Sequence, residues 1–179
     1  LSSLLLSLLL GLSASAEQEI RLDLEENAGL FLPEGFEAEA LVNRLDGQVR
    51  HIAVNDNGDV YVKLREAHED YGNAVLRDTD GDGRSDDIKY FGKYPIYGRY
   101  GTAMRIHKGY LYFSSQKTVY RQKLRSGEMV PESELEEIVI DPNEPPAREH
   151  VGKPIAFDNE GHLFVPFGAP SNACQDPKR

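Results

Sequence analysis

HIAVNDNGDVYVKL (residues 51–64), AMRIHKGYLYFSS (residues 103–115) and PIAFDNEGHLFVPFG (residues 154–168) repeat one pattern: an apolar stretch, a glycine-bearing turn, and a second stretch rich in Val, Leu, Tyr and Phe. The turn glycines, Gly58, Gly109 and Gly161, stand 51 and then 52 residues apart. Strand-turn-strand content with a period near fifty is the mark of a β-propeller, one four-stranded blade per repeat. Isolated hairpins of a sandwich would recur every eight to twelve residues or so. The pattern therefore predicts an all-β fold, a β-propeller, with about three blades in this chain.

Propellers close with about four to eight blades, each burying its apolar face against the next. Three blades do not close. With no initiator Met and an end at Asp176-Pro177-Lys178-Arg179, the chain reads as the N-terminal part of a longer propeller.

Outward from the repeats, residues 30–42 form a turn at Leu32-Pro33-Glu34-Gly35-Phe36 leading into the alternating EAEALV, expected as an outer entry strand. Asn57-Gly58 marks a tight hairpin turn. Residues 73–77 and 88–91 supply two more strands of the first repeat, and residues 118–124 and 137–140 those of the second. The charged stretch 125–136 is an exposed connection, and DPNEPP (residues 141–146) cannot be helix or central strand because proline removes a donor and fixes φ. It delivers the chain to Ala147-Arg148-Glu149-His150 as a loop.

Residues 1–12 are almost wholly Leu and Ser, followed by Ala14-Ser15-Ala16 and a charged run from Glu17. This is the pattern of a signal peptide lacking its basic start, with cleavage after Ala16, so residues 17–179 are the mature part and a periplasmic or secreted location is expected. No second hydrophobic span follows. The net charge of −10 lies entirely in the mature part and repels phosphate backbones, which argues against nucleic acid as a partner. Cys174 is the sole cysteine, and no CxxCH is present to attach a haem.

DTDGDGRSDD (residues 78–87) places carboxylates at loop positions 1, 3, 5 and 9 with a glycine at 6, an oxygen-rich set suited to Ca²⁺. Lys89 stands at position 12, where an EF-hand carries its bidentate Glu, so the loop is not an EF-hand. The form D-x-D-x-D-G-x-x-D resembles the calcium loops of integrin α-subunit propellers. That resemblance implies side-chain oxygens from Asp78, Asp80, Asp82 and Asp86 and the carbonyl of Arg84, in a structural role. A solvated acidic turn is the competing reading.

Glu149-His150 sits on a connection that, in a propeller, can reach the ligand face, and a His beside a carboxylate can serve as general base. His51, His68, His107 and His162 suggest no cluster. From His150 onward, Val151-Gly152-Lys153, Ile155-Ala156-Phe157, Asn159-Glu160-Gly161, Leu163-Phe164-Val165 and Gly168-Ala169-Pro170-Ser171-Asn172-Ala173-Cys174 resemble the soluble quinoprotein glucose/sorbosone dehydrogenases, the sorbosone branch more closely. Tyr100-Gly101-Thr102-Ala103, Tyr110-Leu111-Tyr112, Val119-Tyr120-Arg121 and the Leu32 to Phe36 entry extend the likeness over most of residues 32–174.

The resemblance implies a six-bladed propeller and a pyrroloquinoline quinone (PQQ) cofactor with Ca²⁺. It implies oxidation of a sugar, aldose or polyol, and a cytochrome as a candidate electron acceptor. His150 matches the family's catalytic base, Glu149 the carboxylate before it, and Lys153 falls among the cofactor-facing positions. Tyr97 stands where the glucose enzymes place a glutamine near the quinone, and Ala169 where a Ser is usual. The alternative is a non-catalytic propeller that binds carbohydrate or protein and keeps only a calcium staple. A structural repeat protein of an envelope would need nothing beyond the blades.

Overall fold

The computed structural model describes residues 26–95, 102–142 and 152–168, in two units that meet between Ala38 and Glu39. In the first unit a single 3-10 turn, Glu26–Gly29, is followed by a turn in which the Phe36 amide donates to the Pro33 carbonyl (3.1 Å). No other helix occurs among the described residues.

The second unit is built from antiparallel sheets in chain order. β1 (Gln48–Val54), β2 (Val60–His68), β3 (Tyr71–Arg77) and β4 (Asp87–Phe91) form one four-stranded sheet in the order β1-β2-β3-β4. β5 (Met104–His107), β6 (Tyr110–Ser114), β7 (Thr118–Lys123) and β8 (Glu136–Ile140) repeat that order in a second sheet. β9 (Ala156–Phe157) and β10 (Leu163–Phe164) are the first hairpin of a third. These are the sheets expected around Gly58, Gly109 and Gly161, in meander order and not closed into a ring, as in part of a propeller.

The turns explain the glycines. In the first hairpin the Gly58 amide donates to Asn55 O and the Asn55 amide to Asp59 O, with Gly58 at φ 90°. The third hairpin repeats this with Gly161 to Asp158 O and Asp158 to His162 O, and Gly161 at φ 92°. A side chain would be strained at either glycine.

Alternation along the strands fills two interfaces. Tyr61, Val75 and Phe91 of the first sheet meet Met104, Leu111, Phe113 and Tyr120 of the second in a buried cluster that includes Tyr94 from the connection. The Tyr61 hydroxyl donates to Met129 O (3.0 Å), which ties β2 to the β7–β8 connection. A second cluster, Ala103, Tyr112, Val119 and Ile155, with Phe157, Leu163 and Val165 packed on it, joins the second sheet to the third hairpin. At about 1.5 to 3 kcal/mol for each large apolar side chain removed from water, these seams dominate the stability of the unit. The far face of the first sheet carries Val62, Leu64, Ala74 and Leu76, partly covered by Leu41, Val42 and Leu45.

The entry segment corrects one expectation. Residues 37–42 form no strand. Leu41 and Val42 act through packing, and the Leu41 carbonyl accepts from the Ser85 amide (2.8 Å), so the stretch caps the sheet without joining its ladder.

Candidate functional site

Because each strand reverses the last, the connections of the stacked sheets fall at two ends. The β2–β3 turn, residues 92–95 and 102–103, the β6–β7 turn, and residues 141–142 and 152–155 lie at one end. The hairpin turns at Gly58, Gly109 and Gly161 lie at the other, with the acidic β3–β4 loop and residues 124–135. The Gly161 turn against Lys108, and Lys153 against Thr102 and Ser114, agree with this assignment.

The sequence carries Glu149 and His150 between Asp141 and Lys153. Both lie outside the described residues, as do Tyr97 and Ala169. Lys153, a few residues on, is described and buried. Its ammonium donates to Asp141 Oδ2 (2.9 Å) and lies 4.8 Å from the Phe167 ring centroid. Its amide donates to Thr102 Oγ1 (2.8 Å), and its carbonyl accepts from Ser114 Oγ (3.1 Å). Lys153 thus locks both ends of the connection bearing His150 to the second sheet.

Lys63 is a second buried lysine, which sequence reasoning passed over. It stands on β2 between Tyr61 and Arg65, with His51 of β1 and Asn73 of β3 as its lateral partners. Its ammonium donates to the carbonyls of Leu64 (2.9 Å) and Gly72 (3.0 Å) and lies 5.3 Å from the Tyr94 ring centroid, with no carboxylate among its hydrogen-bond partners. Burial pushes its pKa down to about 7. The sequence signal was the charge inside the strand Val-Tyr-Val-Lys-Leu, at a position whose neighbours two residues away face the next sheet.

At the other end, Asp78, Asp80 and Asp86 bring carboxylate oxygens within 4.8 Å of one another. The loop builds this convergence from its own backbone. Asp78 accepts from the Gly81 (2.7 Å) and Gly83 (2.9 Å) amides, and Asp86 from the amide (2.9 Å) and hydroxyl (2.8 Å) of Thr79. The Gly83 and Gly81 amides hold the Asp78 carboxyl below its ordinary range, and Thr79 does the same for Asp86. Three carboxylates in that space can take a hard cation. Asp82 is not in the group; its Oδ1 accepts from the Arg84 amide (2.8 Å). Beside the loop, Arg77 grips the buried Asp59 through two bonds of 2.6 and 2.7 Å. Burial alone would raise the Asp59 pKa, but the bonds from Arg77 and Asn57 outweigh it and hold the carboxyl low.

No protein-family model matches the chain, and none of the curated proteins is similar to it. Among solved structures it is similar to the PQQ domain of pyranose dehydrogenase from Coprinopsis cinerea in its holo form, at TM-score 0.56 and 14% identity over 70% of this chain. The likeness spans 29% of that structure's chain. The shared property is the fold: antiparallel sheets of the propeller type, as in that PQQ domain.

Proposed function

We propose that this chain belongs to an exported PQQ-dependent dehydrogenase that oxidises a sugar, aldose or polyol. The observation that carries the reading is the meander of stacked sheets shared with a PQQ domain. The residues resembling the soluble quinoprotein dehydrogenases add to it, His150 and Glu149 among them. When bound, PQQ supplies a hydride acceptor. On this reading His150 takes the substrate hydroxyl proton and Glu149 sets its basicity. The ammonium of Lys153 is already committed to Asp141, so its part is to hold the His150 connection in place. The test is quinone binding and aldose-driven dye reduction by the protein with its complete set of sheets. Saturable PQQ binding with sugar-dependent turnover is expected. Carbohydrate binding without PQQ would move the assignment to the non-catalytic propeller.

The acidic loop serves as a calcium staple in this reading, set apart from the chemistry at the other end. Calcium at a hundredfold excess over its dissociation constant should stabilise the fold by about 2.7 kcal/mol, read as a rise in melting temperature. Asp80→Asn keeps the acceptor for the Asp82 amide but removes the charge, and should abolish the rise. Asp82→Asn, outside the converging group, should leave it nearly intact. Equal losses in both variants would count against the three-carboxylate site.

A further inference from the structure

His51 and Arg105 line one recess, Arg50 precedes His51 on β1, and no acid among the described residues pairs with any of the three. His51 lies on β1, directly across from Lys63. Arg50 precedes it at a register shift, where β1 carries an extra residue against β2, a bulge of the kind that re-aims side chains. Arg105 comes from β5 of the next sheet, and its guanidinium makes one hydrogen bond, Nη1 to Met104 O (3.2 Å). Burial, then Arg105, then Arg50 lower the His51 pKa, so the three groups feel one another. None of them pairs with a carboxylate among the described residues, although the chain carries a net charge of −10. Between them His51, Thr102, Arg105, Pro154 and Ile155 line a recess of about 20 Å³, room for one water-sized atom group. Thr102 and Pro154 belong to the connections at the first end, so the recess lies toward that end.

Arg50 and Arg105 are exposed like charges beside His51, and without an acidic partner among the described residues they leave charged donors open to an anion. We propose that Arg50, His51 and Arg105 form an anion-binding site for a carboxylate or phosphate group of a small ligand, one oxygen of which enters the recess. Arg105 supplies the charged donors not used by Met104, Arg50 adds charge from the bulge, and His51 contributes a second donor when protonated. The proposal stands apart from the quinone reading, since it needs neither cofactor nor turnover.

The probes are sodium gluconate, inorganic phosphate and neutral sorbitol, each titrated at constant low ionic strength with melting temperature as readout. A saturable rise with gluconate alone assigns a sugar-acid carboxylate, and a rise with phosphate alone or with both assigns a phosphate-type anion. Sorbitol at the same concentrations should give none. Arg105→Gln, at an exposed position, should weaken the binding at least about tenfold, the worth of a charge-assisted bond pair. Arg44→Gln, beside Asp46 and outside the cluster, should not. Gluconate, which keeps its charge over the range, should bind more tightly as pH falls from 7 to 5. Protonating His51 favours the anion, and the charged groups beside it among the described residues, Arg50, Lys63 and Arg105, are basic. No saturable rise with either anion, or an undiminished rise in Arg105→Gln, overturns the proposal.

Discussion

Replacing His150 with alanine should lower aldose-driven dye reduction by about two to four orders of magnitude, the usual worth of a positioned general base. Quinone affinity should stay nearly constant, because the imidazole acts on the substrate proton in this reading. The loss should fall on kcat, and the acidic limb of the pH profile, set by a protonated His, should vanish with the side chain. Glu149→Gln should keep the fold and shift that limb, since it removes only the neighbouring charge. A parallel collapse of quinone binding in the His150 variant would assign the residue to holding the cofactor.

A second large effect comes from Lys63. An unfolded lysine titrates near 10.5 and the buried one near 7, so between those values the unfolded chain binds the extra proton. Stability must then rise with pH across that window, by about 1.4 kcal/mol per unit and about 4 to 5 kcal/mol in all. It is lost again as pH falls toward 7, below which the penalty is constant. Two tyrosines set the upper bound: burial, then Asp59, pushes Tyr61 up to about 12, and burial raises Tyr94 well above its ordinary value, so both favour the unfolded state once pH exceeds 10. Denaturant midpoints from pH 6 to 10 should therefore climb in the wild type and stay flat in Lys63→Met. The variant should be the more stable protein at pH 7 by several kcal/mol, less about 1 kcal/mol for each of the two carbonyls left unpaired. A Lys63→Met variant that follows the wild-type slope would show that the ammonium keeps its charge in the fold.

Much of this architecture was legible because it depends on local chemistry. Gly58, Gly109 and Gly161 are needed where the turns demand positive φ, and the alternation beside them writes both interfaces. Residues 37–42 alternate just as well yet form no strand, because alternation shows which side is apolar and not whether a partner edge is within reach. The acidic loop showed its carboxylates but not which of them converge: Asp82, whose Oδ1 accepts from the Arg84 amide, is not among the three. His51, Lys63 and Arg105 lie 12 residues or more apart and meet only through the pairing of β1 with β2 and the approach of β5. Glu149 and His150 rest on resemblance and fall outside the described residues.

The first sheet has one further consequence. Leu41, Val42 and Leu45 cover part of its far face, but Ile52 and Val54 on β1 stay more than half exposed, and so does Phe164 on the opposite side of the stack. These two surfaces differ, and each lies at one extremity of the same row of sheets. Copies of this polypeptide studied by itself that stick through them would join heterologously, head to tail, and such contacts extend into filaments unless the rotation per step happens to close a ring. Protein concentration therefore becomes a variable in any melting experiment on this polypeptide, and a charged residue at Ile52 or Phe164 would be the simplest means of keeping it monodisperse.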